Sequence, residues 1–439
     1  MSRGGLRRGR RWVAILVVLL IVGATSGLIL ARRTPTGRAA FNVVEYRVRR
    51  IWSDWFGDQA DAETATGAIS GAVRDQSAHP LEGALVLVSS PEGIAFSSRT
   101  DELGTYTIGN LPVGSYVPVA SKWGYDDVPF HQGNQERTAV SVRSGHLQSG
   151  LDFTLMEHQA YSPSLDEPPS LGPPSTAAAL FPAEVYASRV PITFTNDGLV
   201  ITTTLLYEPE GVESSGPLPV IVASFPSEPL NWDRVSVAMA SEGYVVLATG
   251  LSPQRGLDIP GMARDLLKSI AYLRSGQLTA HADLQREGWL SGSFSSIILY
   301  QALREQPAGV DALVVVGGIS DALLGVQSLY NEDLEIPPKY ETAIAALGRP
   351  DRYPDVYLAY SPAYQAEHMP PTLIVHTTVD EVIPPNQAER FAETLAAAEV
   401  VHELFLYADT SHYLDQVNIT PDTAELYRRL TGFLETHVR

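Results

Sequence analysis

The chain has 439 residues, 44% of them hydrophobic and 18% charged, and no cysteine. That is the balance of a globular protein of two or three domains, and it excludes disulfides, thiol nucleophiles and cysteine metal sites. Net charge is −19, yet eleven of the 31 basic residues fall in the first 50 positions against a single acid, Glu45; the strongly acidic remainder repels polyanions and excludes a nucleic-acid partner.

Residues 12–31, WVAILVVLLIVGATSGLILA, are uncharged and apolar, long enough to cross a ~30 Å hydrocarbon core as one helix. Arg3, Arg7, Arg8, Arg10 and Arg11 precede the run, and Arg32, Arg33 and Arg38 follow it. The denser cluster places the basic segment 1–11 in the cytoplasm and the rest of the chain outside. Because the run exceeds the ~7–15 residues of a cleaved signal's apolar region, an uncleaved signal anchor is expected, and with it the membrane as a partner. Residues 32–65 read as a juxtamembrane linker.

From residue 66 to 156 the pattern changes to short alternating strands separated by turns such as Asp101-Glu102-Leu103-Gly104 and Leu111-Pro112-Val113-Gly114, the signature of a small β-sandwich. The opening Gly71 to Asp75, the run Pro80-Leu81-Glu82-Gly83-Ala84, Thr100-Asp101 with Gly104 and Tyr106, and Leu111-Pro112 with Gly114 and Tyr116 resemble the carboxypeptidase regulatory-like family. The resemblance implies a transthyretin-like fold and no chemistry. His79-Pro80-Leu81-Glu82 spells the zinc motif H-x-x-E, but it lies in a hairpin turn and reads as surface. Residues 157–180, rich in Pro and Ser, read as an extended linker.

Residues 181–439 alternate strands and helices. Strands over 190–194 and 199–207 open as an antiparallel pair. Strands over 218–224, 243–248, 288–290, 311–317, 371–376 and 401–407 follow, with helices over 232–241, 261–274, 295–305, 386–398 and 422–437 between or after them. The pattern predicts an α/β domain with a doubly wound, mainly parallel sheet, whose function gathers at the carboxyl ends of its strands.

One such end carries WLSGSFSS, residues 289–296. A nucleophile on a strained strand-to-helix turn needs small residues two before and two after it. Ser291 has Trp289 two before it, while Ser295 and Ser296 have Ile297 and Ile298 two after. Only Ser293 is flanked by small residues, Ser291 and Ser295. A serine needs a base and the base an orienting acid, in the chain order Ser, acid, His. Asp380 follows the strand LIVH and His412 follows ELFLY, each in a post-strand loop. A solitary Asp or His in a loop is ordinarily a solvated or capping residue, so the weight rests on the three together.

The stretches SGSFSS, SPAYQAEHMPPTLIVHTTVDEVIPP and ELFLYADTSHYLD resemble the prolyl oligopeptidase and dienelactone hydrolase branches of the α/β hydrolase superfamily over most of 190–437. The resemblance implies Ser293 as nucleophile, His412 as general base and then acid, and Asp380 as the residue holding the imidazole tautomer. Ser291 and Ser295 replace the usual glycines, and Thr377 stands where a glycine usually precedes the acid. One oxyanion donor is expected from the Phe294 amide. For the second, Ala223-Ser224-Phe225-Pro226-Ser227 offers the Phe225 or Ser227 amide or the Ser224 side chain, Pro226 having no N–H.

His376 reads as a strand-end residue, Glu381 as a solvated neighbour of Asp380, and Ser320 or Asp321 as a helix cap by default, with Asp321 also a candidate to shape the pocket. Residues 320–360 occupy a lid position, where Tyr330, Tyr340 and Tyr360 are candidate pocket residues. The expectation is a membrane-anchored, outward-facing serine hydrolase acting on peptide or carboxylic ester bonds through an acyl-enzyme, with no metal or organic cofactor. Its rival is a catalytically inactive surface module for binding or attachment.

Overall fold

The structure, a computed structural model, describes residues 40–48, 65–133, 136–180, 184–211, 216–306, 309–330, 345–412 and 420–439. The expected membrane span over 12–31 lies outside them, as does Tyr340. Among the described residues no helix is long and apolar enough to cross a membrane.

The sandwich comprises β1 (Thr66–Asp75), β2 (Leu85–Ser89), β3 (Ala95–Arg99), β4 (Thr105–Pro112), β5 (Gly114–Tyr116), β6 (Val119–Ser121), β7 (Val128–Pro129), β8 (Val140–Val142), β9 (Leu147–Gln148) and β10 (Phe153–Leu155). One sheet has the order β10-β1-β4 and the facing one β3-β2-β6-β7. Alternate residues Ile69, Val73, Val86, Val88, Tyr106 and Ile108 fill the space between them, as the period of two along a strand requires. The Asp101 turn forms as its sequence predicts: Asp101 Oδ1 accepts from the Leu103 and Thr105 amides. Gly104 takes φ +73° where a Cβ would meet the Val73 carbonyl at 2.6 Å.

The large sheet contains β11 (Ser170–Leu171), β12 (Ser175–Ala179), β13 (Val185–Asn196), β14 (Leu199–Pro209), β15 (Leu218–Ser224), β16 (Val245–Thr249), β17 (Ala282–Gly292), β18 (Ala312–Val316), β19 (Thr372–Thr377) and β20 (His402–Tyr407). Its order is β11-β13-β14-β16-β15-β17-β18-β19-β20, with β12 also on β13. Neighbours from β16 through β20 are all parallel, and the edge beyond β16 is antiparallel. Helices α1 (Asp233–Ser241), α2 (Ile259–Arg274), α3 (Ser295–Glu305), α4 (Ala322–Tyr330), α5 (Pro354–Leu358), α6 (Asn386–Ala397) and α7 (Pro421–Val438) complete the domain. Val220 and Val222 of β15 face α2, α3 and α6, whereas Ile221 and Ala223 face α1 and α7. A sheet covered on both faces is what continuous apolar strands specify.

One expectation needs correction. The Pro-rich segment 157–180 is not wholly a linker, because β11 and β12 extend the large sheet through β13. Ala177 and Ala179 bury while Thr176 and Ala178 stay exposed; an alternation carried by alanine has too little apolar contrast to read as a strand. The sandwich also packs against the large domain. Leu85, Leu87 and Val119 share one buried cluster with Leu323, Val326, Tyr357 and Leu358 of the large domain. Around it, Arg137 pairs with Asp355 at 2.6 Å, Arg304 with Asp127 at 2.9 Å, and Gln365 donates to Ser121. The helix over residues 40–48 grips the same segment, with Glu45 3.0 Å from Arg349.

Leu87 is fully buried in that shared cluster, so Leu87→Ala is expected to cost about 2–4 kcal/mol, read from urea unfolding. The two domains should still unfold in one transition; a change confined to an early sandwich transition would contradict the shared core.

Candidate active site

The strand order reverses around β15, which lies between β16 and β17. The crevice at the carboxyl ends of β15 and β17 is therefore the topological switch point of the sheet. Ser293 follows β17 directly and precedes α3. Its φ is +53°, a left-handed value that costs a non-glycine residue about 1–3 kcal/mol unless its surroundings hold it there.

The neighbouring serines supply that hold. Ser293 N donates to the Val316 carbonyl at 3.0 Å. The Ser295 hydroxyl lies against the carbonyls of Gly292 and Ser224, tying the turn to β15. The Ser296 hydroxyl donates to the Ser293 carbonyl at 2.8 Å and accepts from the Ile319 amide at 3.0 Å. Ser291, Ser295 and Ser296 are fully buried. The replacement of glycine by Ser295 is thus a cross-brace, a role that spacing could not reveal. Ser291 Oγ meets no hydrogen-bond partner among the described residues.

The structure brings the three spaced candidates together. Ser293 Oγ is 2.9 Å from His412 Nε2, and His412 Nδ1 is 2.8 Å from Asp380 Oδ2. Since a carboxylate can only accept, Nδ1 carries the proton and Nε2 faces the serine hydroxyl as acceptor. Asp380 Oδ1 accepts the Val382 and Ile383 amides at 2.9 and 2.7 Å. Burial alone would raise this carboxyl, but hydrogen bonds from His376 and His412, the charge of His412 and the Ile383 amide outweigh it and hold the group well below the usual carboxylate range. A carboxyl depressed in this way stabilises the fold above its ordinary value near 4 and loses that contribution as pH falls. Gly317, at φ +56°, passes beneath the pair; a Cβ there would lie 3.6 Å from His412 and 3.7 Å from Asp380.

Two supporting residues depart from the sequence reading. Glu381 is more than a solvated neighbour, because its Oε2 accepts from the His412 amide at 3.0 Å. Thr377, in place of a glycine, donates to the Thr410 carbonyl at 2.6 Å and so links the acid strand to the histidine loop.

The oxyanion candidates divide. Phe294 sits at the start of α3, where amides lack intrahelical partners, and no bond to its N–H is found among the described residues. The Phe225 amide donates to the Thr249 carbonyl at 2.8 Å, extending the β15–β16 ladder, so Phe225 is corrected as a second donor. Ser224 lines a small cavity with Thr203, Thr204, Thr249 and Asp265. Ser227 Oγ accepts from Trp232 Nε1 at 2.9 Å.

The pocket candidates fare differently. Asp321 caps α4 by accepting the Leu323 and Leu324 amides, the default reading, and burial raises its carboxyl above the usual range. Tyr360 packs in the large apolar cluster with α2 and α3, and burial pushes its hydroxyl up to about 12; it is a core residue. Tyr330 ends α4, and its side chain lies outside the described residues. Among the described residues no group of three His, Asp or Glu could hold a metal ion.

Comparison with known proteins finds two family matches. Residues 68–156 match the carboxypeptidase regulatory-like domain, and residues 261–439, which include Ser293, match the prolyl oligopeptidase family. No curated protein matches the chain at a significant level. Similar solved structures include an acylaminoacyl peptidase of Pyrococcus horikoshii, 15% identical over 81% of this chain and 54% of that one, with a TM-score of 0.44. Dipeptidyl peptidase 4 of Porphyromonas gingivalis is 14% identical over 83% of this chain and 49% of that one, with a TM-score of 0.43. A thermostable esterase from Pseudomonas putida ECU1011 is 15% identical over 58% of this chain and 84% of that one, at 0.48. The chain thus spans about half the length of the two peptidases.

The strained φ of Ser293 yields a test free of any substrate. Ser293→Gly relieves the left-handed conformation and Ser293→Ala retains it, so the glycine variant should be the more stable by about 1 kcal/mol. Urea midpoints in the opposite order would show that the turn is unstrained.

Proposed function

We propose that the chain is a serine hydrolase that cleaves peptide or carboxylic ester bonds through an acyl-enzyme on Ser293, and that it is held to a membrane by residues 12–31 with its catalytic domain outside the cytoplasm. The single observation that carries the chemistry is the unbroken relay from Ser293 Oγ through the His412 ring to Asp380 at 2.9 and 2.8 Å. The match of residues 261–439 to the prolyl oligopeptidase family supports it.

Ser293 Oγ attacks the substrate carbonyl while its proton passes to His412 Nε2. Asp380 keeps the ring in the tautomer that leaves Nε2 free to accept and stabilises the imidazolium that forms. The tetrahedral oxyanion meets the Phe294 amide at the head of α3; the second donor is taken to be the Ser227 amide, the first N–H beyond Pro226. His412 then returns the proton to the departing amine or alcohol, and a water activated by the same nitrogen hydrolyses the acyl-enzyme. Strain at Ser293 suits this sequence, since it turns the hydroxyl out of the strand toward His412. The inactive-module reading leaves the strained φ and the aligned ring without a reason.

With p-nitrophenyl esters and dipeptide anilides as substrates, Asp380→Asn and His412→Ala are expected to lower kcat by roughly 10³–10⁴-fold with little change in KM. The relative kcat/KM of the two substrate panels divides esterase from peptidase. Wild-type rates in either variant would remove the relay from the mechanism.

A further inference from the structure

His376 is the penultimate residue of β19, four residues before Asp380; it is fully buried and has no part in the reaction described above. Its Nε2 lies 2.9 Å from the Ile383 carbonyl and 3.2 Å from Asp380 Oδ2. A carbonyl oxygen can only accept, so Nε2 carries a proton and shares it between the two oxygens. Nδ1 meets no partner among the described residues. Asp380 Oδ2 is therefore the meeting point of two imidazoles, His412 on one side and His376 on the other.

The turn is held from both ends. Ile383 gives its amide to Asp380 Oδ1 and its carbonyl to His376, so one ring nitrogen fixes the loop and the carboxylate together. Other ionisable groups near the pair are Glu381, on the His412 amide, and Tyr407 on β20, whose phenol burial and the charge of Asp380 keep protonated. Ser293 stands on the far side of His412. None of these donates to Oδ2.

We propose that His376 is a positioning residue of the acid: its shared Nε2 proton aims Asp380 Oδ2 at His412 and draws negative charge from the oxygen on which the imidazolium depends. The inference rests on the serine-hydrolase reading above. A second donor on a carboxylate oxygen weakens the interaction of that oxygen with the first. Removing it leaves the carboxylate charge undivided, so His412 should hold its proton to higher pH.

The test is the pH dependence of kcat/KM for a p-nitrophenyl ester with the full chain. His376→Leu is expected to move the acid limb upward by about half a unit and to lower kcat by about 5–20-fold with KM nearly unchanged. His376→Gln keeps an amide donor near the Nε2 position and should retain the wild-type limb and most of kcat. A folded leucine variant with an unmoved limb overturns the proposal, because a merely structural residue would change amplitude alone. Should the leucine variant not fold, the glutamine variant decides: a folded protein with a displaced limb or kcat reduced beyond about 5-fold overturns it, and wild-type behaviour supports it. Activity of the wild type that survives in Ser293→Ala would instead overturn the serine-hydrolase reading, and this proposal with it.

Discussion

The constraint on which the site depends is the left-handed backbone of Ser293. A strand that runs straight into a helix has no reason to expose a hydroxyl at its end; a reversal through positive φ gives it one. The conformation is unfavourable for serine, so neighbouring groups must hold it. Ser295 ties the turn to β15 and Ser296 ties it to the loop after β18. Those two strands flank β17 in the sheet, and the strain is thus distributed over the central parallel strands rather than borne by the turn alone.

The relay partners arrive by the same logic. Parallel strands send all their carboxyl ends to one edge, so Asp380 after β19 and His412 after β20 reach Ser293 across neighbouring loops. Their loops are also bonded to each other, through Thr377 to the Thr410 carbonyl and Glu381 to the His412 amide. The acid is therefore a small assembly, with two amides on one oxygen and two imidazoles on the other. Behind it, α4 and α5 pack against the sandwich, and Arg349 pairs with Glu45 of the helix over 40–48. In this chain the small domain shares a buried cluster with the large one.

Much of this was legible in the sequence. Apolar runs located β15, β18, β19 and β20 to within a residue or two, because the first three are buried on both faces and leave little else to read. Excluding bulky neighbours singled out Ser293, and its φ of +53° agrees with the strained turn on which that exclusion relied. What was not legible depended on tertiary contact. The alanine alternation of β12 lacks contrast. The Phe225 amide looked available because pairing with Thr249 comes from the β16 partner. The hydroxyls of Ser295 and Thr377 looked like lost glycines because their acceptors are distant in sequence, on β15 and in the loop after β20. His376 looked like a strand end because a sequence does not show that a ring four residues upstream reaches the same carboxylate.

A fluorophosphonate probe on the full chain, followed by intact mass and peptide mapping, tests the central claim most directly. One adduct per chain on the peptide carrying Ser293, absent from the folded Ser293→Ala variant, is the predicted result. A folded wild-type protein that takes no adduct, or takes it on a different serine, would contradict the account.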